Sequence, residues 1–318
     1  MGAALALGRR AAGHSRPNPN VGCIVAKEGR IIGRGWTAAG GRPHAEAMAL
    51  AEAGADAEGA TAYVTLEPCA HQSDRGPACA KLLRDSKVAR LVYALEDPDP
   101  RTAGKGAEHL RQAGMVVESG LRAEEASRDL DGFRLARLAQ RPELTLKLAI
   151  SLDGRMATAG GESMWITSET ARAHGHLERA RADAVAVGRG TFEADAPRLS
   201  NRLPGSRRQP VPVLVSSVPT DLPAGWRQAR DWPDLACTAM TLGWLRILVE
   251  GGPTLAAALL AEDVVDRLLL YRAPILIGPG AGLEGFAPES LAAAHGRWRL
   301  LDRRALGPDC LEVFARDR

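Results

Sequence analysis

Two layered α/β domains in tandem are what this chain of 318 residues predicts. Its length exceeds the roughly 100–200 residues of one domain. Its 45% hydrophobic and 25% charged content are those of a soluble globular protein. Short strand-like runs alternate with helical ones on both sides of Arg141-Pro142, a plausible linker that divides 1–141 from 142–318.

The first thirteen residues, Ala/Leu-rich with Arg9-Arg10 near their end, read as an amphipathic helix. A secretory signal would carry its charge before the apolar run. Residues 21–36 read as two strands joined at Glu28-Gly29, and Pro43 to Gly54 as a helix with Pro43 in its first turn. Residues 61–66 form a strand that ends at the Glu67-Pro68-Cys69 turn, and Pro77 to Ser86 a helix with Cys79 in its first turn. Strand 88–95, helix 106–113, strand 115–118 and helix 122–139 complete the first half. The second half repeats the alternation: strands 144–151, 183–187, 211–215 and 245–249, helix 253–261 and strand 266–271. Residues 196–210 and 216–234 are Pro/Gly/Arg-rich and read as loops.

Several function classes are disfavoured. With 41 basic against 38 acidic residues and 4% aromatics, nothing forms the basic, aromatic groove that nucleic acid needs. No run approaches the roughly 18 apolar residues of a membrane span. Five cysteines without a paired framework point to a reducing cytoplasm.

His44-Ala-Glu46, Pro68-Cys69 and Cys79 carry the chemistry. One imidazole and two thiols can hold a zinc ion and leave a fourth position for water, the pattern of a catalytic rather than a structural site. Helix starts at His44 and Cys79 favour thiolate over thiol. Glu46 can move protons beside the metal. Residues two apart on a regular helix point about 200° apart, so His44 and Glu46 share one site only if the helix begins there. The alternative is a closed structural site with His71 as fourth ligand, which leaves Glu46 without a role.

In the second half, Thr145, Lys147, Ala149 and Ser151 share one face of a strand. A lysine on that small, polar face marks a cleft, unless the strand is an edge and Lys147 points to solvent. At 245–261 a buried strand ends at Glu250, Gly251-Gly252 turn, and Pro253 opens a helix whose N-terminus can receive a phosphate. Gly188-Arg189-Gly190-Thr191 can serve similarly.

PNPNVGCIV, HAE and YVTLEPCAH…C, within residues 17–46 and 63–79, resemble the deaminase domain of the bifunctional riboflavin-biosynthesis deaminase/reductase family. Those enzymes join a diaminohydroxyphosphoribosylaminopyrimidine deaminase to a 5-amino-6-(5-phosphoribosylamino)uracil reductase. KLAISLDGRMA, ESMWITS, ADAVAVGRGTF, SNRLPG and VEGGPTL are similar to the family's reductase domain. The resemblance implies a cytidine-deaminase-like three-layer α/β/α domain followed by a dihydrofolate-reductase-like α/β domain. By it, His44, Cys69 and Cys79 bind zinc, and Glu46 is catalytic. Asn18 and Asn20 face the pyrimidine, and His71 and Arg75 reach the phosphate. NADPH would contact Ala149, Trp165, Thr191, Asp195, Ser216 and the turn Gly251, Gly252, Pro253, Thr254 and Leu255. The substrate would meet Ser163, Arg179, Leu199, Arg202 and Glu250, with Arg179 and Arg202 as phosphate partners. Lys147 and Asp195 are the candidate catalytic residues of the reduction.

The implied reactions run in sequence. The first deaminates 2,5-diamino-6-ribosylamino-4(3H)-pyrimidinone 5′-phosphate. The second reduces the ribosyl chain, giving 5-amino-6-ribitylamino-uracil phosphate. A cytoplasmic homo-oligomer acting on this small molecule, with no nucleic-acid or membrane partner, is the corresponding expectation. Three departures stand out. The spacer after His71, Gln72-Ser73-Asp74-Arg75-Gly76-Pro77-Ala78, is one residue longer than usual. Asp195-Ala196-Pro197 replaces two adjacent aspartates before the proline, and the stretch 217–244 is short. Two alternatives remain: a monofunctional zinc pyrimidine deaminase with a non-catalytic C-terminal domain, and a non-catalytic zinc-stabilised nucleotide-binding module.

Overall fold

The computed structural model describes residues 1–71, 75–206 and 208–317. Gln72, Ser73 and Asp74 of the spacer and Arg207 lie outside the described residues. The chain divides into two compact units, Met1–Arg141 and Pro142–Arg318.

The first unit holds a sheet ordered β2-β1-β3-β4-β5. Its strands are β1 (Gly22–Lys27), β2 (Arg30–Trp36), β3 (Thr61–Val64), β4 (Arg90–Tyr93) and β5 (Val116–Ser119). β1 runs antiparallel to β2 and β3, and β3, β4 and β5 are parallel. Helices α1 (Gly2–Ala11) and α5 (Ala123–Leu138) pack together on one face. The other face carries α2 (Ala45–Ala53), α3 (Cys79–Asp85) and α4 (Lys105–Gln112). The alternation along β1 decides this layering: Ile24 packs with Ala4 and Leu7 of α1, while its neighbours Cys23 and Val25 face the opposite layer. Gly35 brings α2 close to the sheet, since a Cβ there would lie 2.0 Å from the Ala45 carbonyl oxygen.

The second unit is built on an eight-stranded sheet ordered β12-β13-β11-β6-β10-β7-β8-β9. Its strands are β6 (Glu143–Ile150), β7 (Ala184–Gly188), β8 (Val211–Val215), β9 (Arg227–Ala229), β10 (Arg246–Val249), β11 (Arg267–Arg272), β12 (Trp298–Leu306) and β13 (Asp309–Arg316). β11-β6-β10-β7-β8-β9 are parallel, and the β12–β13 hairpin adds antiparallel to β11. Helices α6 (Glu169–Arg181), α7 (Arg189–Asp195), α8 (Trp232–Thr241), α9 (Pro253–Ala261) and α10 (Leu291–Ala294) complete the unit. Leu144, Leu146 and Leu148 of β6 are buried in one core with α8 and α9. Val185, Val187, Leu248, Leu269 and Tyr271 form a second core on the opposite face.

Several elements depart from the sequence expectation. The segment 216–234 is not all loop: it contains β9 and the start of α8, which Asp231 caps by accepting from the Asp234 N–H. α6, α7 and the β12–β13 hairpin were not anticipated. α6 buries only Ala171 and Glu178, so it shows no apolar stripe. Lys147 is not on an edge, because β6 lies between β11 and β10. Among the described residues no helix is long and apolar enough to cross a membrane.

Candidate active sites

In the first unit the helix begins where the shared site needs it to. His44 is the N-cap of α2, with extended φ −73° and ψ 164°, rather than part of its first turn. The regular helical offset therefore does not apply between His44 and Glu46. Cys69 follows the β3 strand end, and Cys79 is the first residue of α3. One ligand atom from each of His44, Cys69 and Cys79 lies within 4.8 Å of the others. His44 Nδ1 is 3.3 Å from Cys79 Sγ and 3.7 Å from Cys69 Sγ. Tetrahedral zinc with Zn–S about 2.3 Å and Zn–N about 2.0–2.1 Å separates such ligands by about 3.5 Å, so the donor set and its spacing fit.

The electrostatics refine the helix-start argument. The first N–H of α3, that of Cys79, donates to Cys69 Sγ at 3.3 Å. The Cys79 thiol also donates to Cys69. That bond, working against burial and assisted by His44, draws the Cys69 thiol well below its usual range. The same bond, together with burial, pushes Cys79 up. Thiolate is thus favoured on Cys69 before Cys79, chiefly through the Cys79 thiol, with the α3 N–H adding to it. Glu46 is 3% exposed. Burial raises its carboxyl above the usual range and Cys69 adds to this, while His44 opposes it. A buried carboxyl with raised proton affinity beside a metal ligand set can take up and return a proton.

The flanking residues divide. Asn18 donates to the Gly41 carbonyl at 3.1 Å, and its Nδ2 lies 3.0 Å from His44 Nε2. With Nδ1 turned to a metal, Nε2 carries the ring proton, which an amide nitrogen cannot accept, so this contact places Asn18 beside His44 without orienting the imidazole for ligation. Asn20 is not brought to this cluster: it is buried, and its amide donates to the carbonyls of Gly8 and Asp129, tying down α1 and α5. His71 stands outside the ligand cluster, its Nδ1 3.3 Å from Thr102 Oγ1, which disfavours a fourth protein ligand. Arg75 is exposed and donates to the Gly40 carbonyl at 2.5 Å.

In the second unit a cavity of about 1280 Å³ lies at the carboxyl ends of β6, β7, β8 and β10, where open α/β sheets bind ligands. Every reductase residue singled out from the sequence lines it, from Lys147, Ala149 and Ser163 to the Gly251–Leu255 turn. Neither Gly251 nor Gly252 has a positive φ, so these glycines keep the α9 N-terminus open rather than form a left-handed turn. Lys147 Nζ sits 5.6 Å from the centre of the Tyr271 ring, on the same face as Glu250.

The arginine reading changes in one respect. Arg179 is committed to a bidentate pair, Nε to Glu250 Oε1 at 2.5 Å and Nη2 to Oε2 at 2.9 Å, and its Nη1 donates to the Ser200 carbonyl at 3.0 Å. Its charge is neutralised by Glu250, so a phosphate there would also meet a carboxylate. Arg202 is exposed and makes no hydrogen bond or ion pair among the described residues, which leaves its guanidinium available. Burial raises the Asp195 carboxyl. Ala196 beside it holds φ 40°, a left-handed conformation that Asp adopts more readily than Ala. Trp165 is 68% exposed, with the Arg172 guanidinium 4.7 Å from its ring centre.

Sequence reasoning missed His176, Tyr271 and Arg198, which also line the cavity. Tyr271 bonds His174 Nδ1 at 2.8 Å from within β11. The sequence marks 266–271 as a strand but gives no sign that Tyr271 faces the cavity. His176 lies on α6, whose polar buried face conceals it.

The comparisons with known proteins agree with this geometry. The cytidine and deoxycytidylate deaminase zinc-binding region matches residues 1–95, and the RibD C-terminal domain matches residues 142–311. The riboflavin biosynthesis protein RibD of Escherichia coli is 38% identical, covering 98% of this chain and 98% of its own. That of Aquifex aeolicus is 36% identical, over 99% and 97% respectively. The solved structure of Acinetobacter baumannii RibD is similar with a TM-score of 0.88 at 35% identity, over 99% of this chain and 97% of its own. The Thermotoga maritima diaminohydroxyphosphoribosylaminopyrimidine deaminase/5-amino-6-(5-phosphoribosylamino)uracil reductase matches with a TM-score of 0.90 at 28% identity, over 100% and 97%.

Proposed function

This chain belongs to the RibD family of bifunctional riboflavin-biosynthesis deaminase/reductases, and from that premise we propose which residues perform each step. Residues 1–141 carry the zinc-dependent deaminase and residues 142–318 the NADPH-dependent reductase. His44 Nδ1, Cys69 Sγ and Cys79 Sγ hold the zinc. When bound there, zinc supplies a water activated for attack on the ring carbon that bears the leaving amine. Glu46 takes the proton from that water and hands it to the departing amine. Asn18 lies on the pyrimidine side of the pocket, and His71 and Arg75 form its phosphate side. The substrate is 2,5-diamino-6-ribosylamino-4(3H)-pyrimidinone 5′-phosphate, which loses its 2-amino group.

In the second unit NADPH supplies hydride to the ribosyl carbon. The N-terminus of α9, opened by Gly251-Gly252 and Pro253, receives a cofactor phosphate. Trp165, Thr191, Ser216 and Ala149 form the rest of its bed. Lys147, with Asp195 near the rim, serves the proton side of the reduction. Arg202 binds the substrate phosphate. Arg179 acts through Glu250, holding that carboxylate toward Lys147.

The observation that carries this reading is the convergence of a buried Glu46 on a His/Cys/Cys ligand set in one unit, with a separate cavity lined by the reductase residues in the other. Mass spectrometry of products tests it. Zinc-loaded protein and the diamino substrate should give the deaminated compound without NADPH, and the deaminated, ribityl compound with it. Recovery of unchanged substrate in both cases would refute the assignment.

A further inference from the structure

We propose that Glu67 is a positioning residue of the zinc centre, setting Cys69 by anchoring it to the N-terminus of α4. This rests on the metal reading above and adds a residue to it. Glu67 is 2% exposed and, among the described residues, its carboxylate has no basic hydrogen-bond partner. Its carboxylate instead collects backbone N–H groups from one loop and helix start. Oε1 accepts from Ala107 at 3.0 Å, and Oε2 accepts from Gly104 at 2.9 Å and from Asp97 at 3.4 Å. Gly104 is the N-cap of α4 and Ala107 lies in its first turn, so Glu67 supplies in trans the cap that α4 lacks from its own side chains.

The next residue tightens the same joint. A Cβ at Gly106 would lie 2.0 Å from the Pro68 carbonyl oxygen and 3.3 Å from Glu67 Oε1, so α4 meets this turn in backbone contact. On its other side, Cys69 is gripped by α3. The Cys79 N–H donates to its Sγ at 3.3 Å, and the Ala80 N–H donates to its carbonyl at 3.2 Å. Cys69 is therefore strung between two helix starts, one reached directly and one through Glu67. The loop 97–104 closes the frame, since its buried Thr102 meets His71 two residues beyond Cys69. Glutamine at 67 would turn an NH₂ group toward converging N–H donors and release one arm of the frame.

The test pairs two unrelated disturbances of the joint, Glu67→Gln and Gly106→Ala, with Glu108→Ala on the exposed face of the same helix as control. Zinc affinity is read by competition with a chromophoric chelator, and ligand geometry by the visible spectrum of the cobalt-substituted protein. NADPH oxidation with the deaminated intermediate reports on the second unit. Both joint variants should bind zinc about 10- to 100-fold more weakly, as loss of a partner that orients a ligand does elsewhere. Their cobalt bands should shift in the same direction, with reductase turnover and the control unchanged. Wild-type zinc affinity and cobalt spectrum in Glu67→Gln would overturn the proposal. Loss of reductase turnover along with zinc would also overturn it, because Glu67 would then hold the fold and not the site. A wild-type protein that binds no zinc would overturn the metal reading beneath it instead.

Discussion

The two sites of this protein are built by opposite strategies. The candidate zinc centre is small and largely buried, made of four side chains from two helix starts and one strand end, and the proposed roles, ligation and proton transfer, restrict each residue type. The reductase cavity, about 1280 Å³, is assembled from the carboxyl ends of several parallel strands and from loops up to a hundred residues apart in sequence. In the first, identity of residues carries the chemistry. In the second, the sheet carries it, and individual side chains contribute shape and charge.

The largest expected effect breaks this contrast at its sharpest point. Glu46→Gln should lower ammonia release by about 10²–10⁴-fold, the usual contribution of a positioned acid–base group. Its zinc content and its NADPH oxidation with the deaminated intermediate should match wild type, as metal analysis and two separate assays would show. Ammonia release at the wild-type rate would remove Glu46 from the proton path.

The corresponding disturbance in the second unit is Arg179→Met. It leaves Glu250 with an unpaired carboxylate in a partly buried position, a change that costs about 3–5 kcal/mol where burial is complete and less here. Reductase turnover should collapse while zinc binding and ammonia release persist. If turnover falls only with phosphorylated substrate and not with its dephosphorylated form, Arg179 reads phosphate after all.

What was legible in the sequence follows the same divide. His44, Cys69 and Cys79 could be read as a site because metal ligation restricts residue type, and the structure brings their ligand atoms together. β6 and α9 were legible because Leu144, Leu146 and Leu148 alternate and Pro253 marks a helix start. α6 was not: it buries a carboxylate, Glu178, which pairs with Arg267 from β11 and with Arg181 from its own last turn. No local pattern announces such a pairing across 89 residues. Asn20 misled for a similar reason. A Pro-Asn-Pro-Asn turn looks like a binding loop, but one of its amides is consumed by backbone carbonyls.

A pH experiment sharpens the comparison further. Burial works against the charge of Glu178, but Arg267 and Arg181 outweigh it and hold the carboxyl at about 2. The folded value lies below the unfolded value of about 4.3, so the stabilisation is present above that pH and lost as pH falls toward 2. The difference is worth about 3 kcal/mol. Denaturant midpoints of the second unit should drop between about pH 5 and 2, and Glu178→Gln should be less stable near neutrality and flatter over that range. A variant as pH-dependent as wild type would reassign the acid transition.

The smallest effect concerns Ala196. Asn tolerates the left-handed backbone that Ala occupies at φ 40°, so Ala196→Asn should stabilise the second unit by up to about 1 kcal/mol. A lowered thermal midpoint would show that the strained turn is held by contacts an amide disrupts.

The most direct test of the central claim, two separately built stations acting in order, is a single progress curve. Wild-type protein loaded with zinc is given the diamino substrate and NADPH, and ammonia and NADPH are followed together. Ammonia should appear first, with NADPH oxidation following after a lag and reaching one equivalent per ammonia released. NADPH oxidation that begins without prior ammonia, or ammonia release with no oxidation to follow, would contradict the account.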